Sequence, residues 1–134
     1  METVFDKIVR KEVPAEIIYE DDLVIAFLDI SPTNPGHTLF IPKDSCENML
    51  CTSDEALARI MSVAKKIAPA ILSAVGATGF NFITNNGPTA GQAVMHTHFH
   101  LIPRFENDGL KLWGHADAIP EELVVLKNKI MELL

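Results

Sequence analysis

The sequence predicts an α+β domain, with a five-stranded, mostly antiparallel sheet and helices packed on one face. Three observations carry that reading. Apolar runs of strand length, separated by short acidic or Pro/Gly turns, occupy residues 17–42. A single long stretch of 3.6-residue apolar period follows, from Leu57 to Val75. Two more strand-like runs then flank a glycine-containing loop before a last helical pattern at the C-terminus.

Taken in order, Val4, Phe5, Ile8 and Val9 have helical spacing, so residues 3–12 are expected as a short helix ended ahead of Pro14. Ile17-Ile18-Tyr19 and Leu23 to Ile30 read as two strands joined by the tight acidic turn Glu20-Asp21-Asp22. Ser31 to Gly36 is a loop by composition, and His37 to Ile41 resumes as a strand that stops at Pro42. Thr52 with Glu55 has the spacing of a capping box ahead of the long helix, and Gly76 is its natural C-cap. Pro69 lies inside that helix and predicts a kink near Lys65, whose carbonyl the ring would crowd. Gly79 to Thr84 is a fourth strand, Asn85 to Gln92 a loop, and Val94 to Ile102 a fifth strand; Pro120 opens a C-terminal helix to about Glu132.

A chain of 134 residues suits one domain, here residues 1–134, with 48% hydrophobic and 22% charged residues to build a globular core. The net charge of −7 argues against a nucleic-acid polymer as partner, because that affinity rests on basic surface. It does not argue against one phosphate group, which local amides and imidazoles can hold. The N-terminus lacks a signal-peptide core and no run is long enough to span a membrane, so no membrane partner is expected and the cytoplasm is the default location. Cys46 and Cys51 form no zinc-ribbon or Cys-x-x-Cys pattern and are expected as reduced thiols.

Chemistry concentrates between Gly91 and Arg104, where His96, His98 and His100 alternate; they are three of only five histidines in the chain. On an extended strand their rings would share one face at roughly 6.5–7 Å intervals, with Thr97, Phe99 and Leu101 pointing the other way. Such a row could ligate a metal, could be buried in structural hydrogen bonds, or could act on a phosphoryl group. The preceding Asn85-Asn86-Gly87-Pro88-Thr89-Ala90-Gly91-Gln92 decides for phosphate. It is rich in small and amide residues, its backbone amides could face an anion, and the segment offers no carboxylate or cysteine for zinc. No metal and no cofactor are therefore assigned.

The run HTHFHLI resembles the His-x-His-x-His-x-x signature of the histidine triad (HIT) superfamily. Blocks in matching order extend the resemblance over roughly residues 3–115: Ile17 to Asp22, Ala26 to Pro32, Pro35 to Lys43 and Asn85 to Arg104. The chain looks most like the Hint branch of nucleoside phosphoramidate hydrolases, including its bacterial members. That resemblance implies a HIT-like homodimer with a joined sheet. It implies hydrolysis of purine nucleoside 5′-phosphoramidates through a nucleotidyl-histidine intermediate, with AMP, GMP or adenosine conjugates as ligands. Cleavage of dinucleoside polyphosphates and a non-catalytic AMP-binding or scaffold role are the alternatives, with a metal-dependent hydrolase the last of them.

By the same resemblance His98 is the nucleophile, His96 orients it, His37 supports the network and His100 meets the phosphate or leaving group. Asn85, Gln92 and the amides of Gly91 and Ala93 would hold phosphate oxygens, and Asp29 would take the ribose hydroxyls with its two acceptors. Phe5, Phe27, Ile17, Ile18 and Ile30 are candidates for the base pocket, although apolar residues at strand spacing are more often core. Asp29 has a competing role as a turn cap ahead of Ser31-Pro32. Two departures from the family pattern stand out. Ala93 occupies a position where many Hint proteins have serine. Thr3, Asp6 and Ser45 stand where some bacterial relatives have the cysteines and histidine of a structural zinc site, so no such zinc is expected. Trp113 and the Gly109–His115 segment would reach the partner's site or else pack locally.

Overall fold

The computed structural model describes residues 1–134 and gives the order α1 (Val4–Val9), β1 (Ile17–Glu20), β2 (Val24–Leu28), β3 (Thr38–Pro42), α2 (Asp54–Val75), β4 (Gly79–Thr84), β5 (Phe99–Arg104) and α3 (Pro120–Leu133). All neighbouring strands pair antiparallel in one sheet of order β1-β2-β3-β5-β4. β5 is thus inserted between β3 and β4, flanked on both sides.

Alternation along the strands divides the sheet into two apolar faces. Val24, Ala26, Phe40, Phe99 and Leu101 pack under α2 against Ile60, Val63, Ala64, Ala68 and Ile71. Ile25, Phe27, Leu39 and Ile41 point the opposite way and meet Phe5 and Ile8 of α1. The sequence placed the helices on one face; α1 instead covers part of the second. The reason is that β2 and β3 are buried on both sides, all five β3 residues included, and need a cover on each.

The ends of the helices are set by named caps. Thr3 starts α1 in a capping box with Asp6, whose carboxylate takes the Thr3 amide at 2.7 Å. At α2 the N-cap is Ser53, accepting from the Ala56 amide, and not Thr52. Thr52 is occupied elsewhere: its hydroxyl is 2.6 Å from that of Thr97. Gly76 closes α2 in the left-handed conformation (φ 72°), as its position predicts. α2 runs uninterrupted through Pro69, and both Pro69 and Lys65 are exposed, so the carbonyl that loses its partner lies on the water-facing side.

The largest departure is at the histidines. β5 starts only at Phe99, so His96 and His98 precede the strand in an irregular segment. The Thr97 amide donates to the Cys46 carbonyl at 2.8 Å, in place of a ladder bond to β3. Cys46 and Cys51 are joined in a disulfide with Cα atoms 5.9 Å apart, not left as two thiols. Sequence separation alone does not reveal this, because the turn at Asn48 folds the short loop back on itself.

Beyond Gly109 the chain is exposed throughout, and α3 has no buried residue. Trp113, 80% exposed, lines a shallow groove over β4 and β5 with Ile83 and Ile102. No helix is long and apolar enough to cross a membrane.

Candidate active site

Three histidines, His37, His98 and His100, converge on the α1 side of the sheet, each delivered by a different piece of local structure. His37 stands one residue before β3, placed by Gly36, whose φ of +86° suits glycine and whose missing Cβ leaves room for Pro103 and Val75. Asp29 follows β2, and its amide donates to the His37 carbonyl at 2.9 Å, carrying the β2–β3 ladder one step further. His100 sits within β5, opposite Leu39 on one side and Ile83 on the other. His98 comes from the irregular segment ahead of β5, with its ring centroid 5.0 Å from that of His100.

Hydrogen-bond partners fix the tautomers. A carbonyl only accepts, so the 2.7 Å contact between His98 Nδ1 and the His96 carbonyl puts a proton on Nδ1 and leaves the lone pair on Nε2. The Thr33 amide donates to His37 Nδ1 at 3.0 Å, so neutral His37 carries its proton on Nε2 and donates it to His100 Nδ1 at 2.9 Å. Neutral His100 must then hold its own proton on Nε2. The site therefore contains one imidazole with a free lone pair and one with a free N–H.

Burial keeps these rings neutral. His98 is held below the ordinary histidine value, mainly by desolvation. His37 is lowered for the same reason, against the opposing pull of Asp29, so the 3.6 Å approach of Asp29 Oδ2 to His37 Nε2 is a polar contact and not an ion pair. His100 is pushed down to about 4 by desolvation, with the neighbouring His98 and His37 adding to the effect.

His96 takes a place the strand geometry did not foresee. Its ring is fully buried and faces away from the pocket, with Nε2 donating to the Pro42 carbonyl at 2.9 Å. Nδ1 lies 3.4 Å from Ser45 Oγ and 3.6 Å from Asp6 Oδ1. It orients His98 through its backbone carbonyl and not its imidazole. Thr3, Asp6 and Ser45 do come together around His96, but as a hydrogen-bonded set; burial of Asp6 is outweighed by the bonds from Thr3 and Ser45, which hold its carboxyl below the usual range.

Beside the histidines opens a cavity of about 310 Å³, lined by Phe5, Phe27, Ile30, Asp29, Ala93, His98 and His100 among others. The Phe5 ring meets His98 edge-on at 5.0 Å. Asp29 Oδ1 caps the Ser31 amide at 2.8 Å, as the turn-cap reading expects, and the residue also borders the cavity. Ile18 is 43% exposed and outside the lining, because a register irregularity between Ile17 and Tyr19 turns it outward. Ile17 packs against the α1-side cluster instead. The cavity also uses Leu39, Val94 and the Val13–Ala15 turn, which carry no sequence signal beyond being apolar.

Few of the residues expected to hold phosphate have a free donor in the structure. Gln92 is buried, with Oε1 accepting from Gly87 and Nε2 donating to the carbonyls of Glu47 and Val94, so it braces the loop and has no donor left to offer. The amides of Gly91 and Gln92 bond to the carbonyls of Pro88 and Gly87. Of the two expected amides, those of Gly91 and Ala93, only that of Ala93 is unpaired, and Ala93 borders the cavity. Asn85 does not line the cavity either; its side chain packs beneath Gly91, with Nδ2 3.7 Å from where a Cβ would stand.

Asp29, His37 and His100 also place one ligand atom each within 4.8 Å of one another, so the carboxylate missing from the histidine segment is supplied by the residue that follows β2. A metal on His37 Nε2 would move the ring proton to Nδ1, against the Thr33 N–H. The donor set as it stands favours the neutral relay over a cation.

The HIT domain pattern matches residues 10–107 of this sequence. The chain belongs to the HIT family. It is 42% identical over 135 residues to the protein hit of Bacillus subtilis, covering 98% of this chain and 93% of that one. The adenosine 5′-monophosphoramidase of Schizosaccharomyces pombe is 41% identical over 132 residues, covering 97% and 96%. A crystal structure of a HIT family member from Bacillus subtilis superposes with a TM-score of 0.90 at 39% identity, covering all of this chain and 98% of the other. The α+β architecture is thus that of the HIT family, and some relatives carry hydrolase names.

Proposed function

We propose that this HIT protein hydrolyses purine nucleoside 5′-phosphoramidates through a nucleotidyl group carried on His98. The observation that supports the reading is the complementary pair of tautomers, a lone pair on His98 Nε2 beside a free N–H on His100 Nε2. Attack of Nε2 on phosphorus forms a P–N bond to His98 while the bond to the leaving nitrogen breaks. That nitrogen leaves as an amine only when protonated, and the proton comes from His100 in its imidazolium form, whose Nδ1–H requires His37 to move its own proton to Nδ1 and give up the Thr33 amide bond. Burial disfavours the imidazolium in the empty site, and a phosphate anion alongside favours it by opposite charge. Water then adds to phosphorus, its proton returns to His100, and His98 is released as the neutral imidazole with AMP.

Asp29 and the apolar cavity receive the nucleoside, and the Ala93 amide faces a phosphate oxygen. A pyrophosphate leaving group departs as an anion and needs no proton, so the acid at His100 favours the amide substrate over dinucleoside polyphosphates. The second part of the proposal is a homodimer, supported by exposed apolar side chains on α3 such as Leu126 and Ile130, which nothing in the protomer covers. His98→Asn is expected to fold, bind AMP and lose turnover of an AMP-amide. Near wild-type turnover by that variant would overturn the nucleophile assignment, and tight AMP binding without turnover by the unmodified protein would favour the scaffold reading.

A further inference from the structure

The bond that sets the nucleophile's tautomer closes over two residues only, from the His96 carbonyl to the His98 ring. Thr97 is the residue between them. Its backbone angles decide whether that carbonyl and that ring meet at 2.7 Å, and nothing in β5 fixes them, because the ladder begins at Phe99. The segment is held from outside the sheet instead.

Thr97 is buried to 1% exposure and gripped at three points. Its amide donates to the Cys46 carbonyl at 2.8 Å, its hydroxyl donates to the same carbonyl at 3.2 Å, and that hydroxyl lies 2.6 Å from Thr52 Oγ1. Thr52 Oγ1 is also 3.0 Å from the Asn48 carbonyl, so two hydroxyl protons are shared among the acceptors and the cluster closes on itself. All these partners belong to one loop, Cys46 to Thr52, whose ends are tied by the Cys46–Cys51 disulfide. The far side of His98 is pinned as well, by the Thr84 hydroxyl donating to its carbonyl at 2.8 Å.

We propose that Thr97 is a positioning residue for the nucleophile, its hydroxyl locking the 96–98 segment to the Cys46–Thr52 loop so that His98 presents Nε2. The proposal rests on His98 being the nucleophile. Thr97 touches neither the cavity nor a reacting atom; it acts through the geometry of the His96 carbonyl. A valine keeps the volume and removes the hydroxyl, whereas a serine keeps the hydroxyl.

Two readouts test it: steady-state kinetics on an AMP-amide, and the NMR signal of the His98 Nδ1 proton, which exists as a slowly exchanging resonance only while the bond to the His96 carbonyl holds. Thr97→Val is expected to lower kcat between about ten- and a hundredfold with KM nearly unchanged, as a displaced reacting group does. It should also broaden or remove the Nδ1 proton signal, and Thr97→Ser should restore both. Thr52→Val, which removes the partner hydroxyl from the loop side, provides the same comparison if Thr97→Val does not fold. Wild-type kcat with the Nδ1 signal intact in the valine variants overturns the proposal, as does an equal loss in Thr97→Ser. If the unmodified protein does not turn over the amide, the parent reading fails, and the proton signal alone decides whether Thr97 positions the ring.

Discussion

Acidification is the sharpest perturbation of the neutral imidazole cluster. His100 is held down to about 4 from an ordinary value of 6.5, so at mildly acidic pH the unfolded chain binds a proton there that the folded chain refuses. Stability then falls with decreasing pH, because protons stabilise the state that binds more of them. The contribution is fully present above 6.5 and is lost as pH drops toward the folded value. Integrating one such group from pH 7 to pH 4.5 gives a loss of ~2 to 3 kcal/mol. His98 and His37 are lowered as well and add in the same direction. The depressed carboxyls of Asp6 and Glu20 lose their contribution only at lower pH, since hydrogen bonds hold both below their ordinary values of 3.8 and 4.5. Urea unfolding across that interval measures the slope, and His100→Asn should remove about 2 kcal/mol of it. Parallel stability curves for the two proteins between pH 6.5 and 4.5 would refute the account of His100.

Two further outcomes follow from packing and chain entropy. Gly36→Ala forces a Cβ into the left-handed region and within 3.1 Å of Pro103 and Val75 side-chain carbons, so a loss of about 1 to 3 kcal/mol is expected in a denaturant titration. A change under about 0.5 kcal/mol would show that β5 and α2 yield more easily than their contacts imply. Cys51→Ser opens a loop of sequence separation 5, which loop-closure entropy values at about 2 kcal/mol; unchanged stability under oxidising conditions would contradict it.

Much of the scaffold was legible because its signals are local. The acidic turn between β1 and β2 is set by Asp21, whose carboxylate accepts the amides of Leu23 and Val24, and Gly76 ends α2 by adopting a conformation suited to glycine. The site is where local rules lost to tertiary contacts. The alternation His96-Thr97-His98 reads as strand, yet the Cys46 carbonyl captures Thr97 and bends the segment away from the ladder. Thr52 has the sequence of an N-cap but finds Thr97, and Ser53 caps the helix in its place. Gln92 resembles a phosphate ligand until its amide is seen to be spent on Gly87, Glu47 and Val94. Each miss involves a partner more than four residues away, which periodicity and spacing do not encode. His37 and Asp29, singled out by resemblance, lie next to each other in the structure, and a hydrogen bond links His37 to His100.

The most direct test is rapid alkaline quench of the protein during turnover of an AMP-amide, followed by peptide mass spectrometry at alkaline to neutral pH. A transient nucleotidyl adduct is expected on the peptide containing His98, alkali-stable and acid-labile as a P–N bond to imidazole is, and absent in His98→Asn. Full turnover with no such adduct, or a label on another side chain, would contradict it.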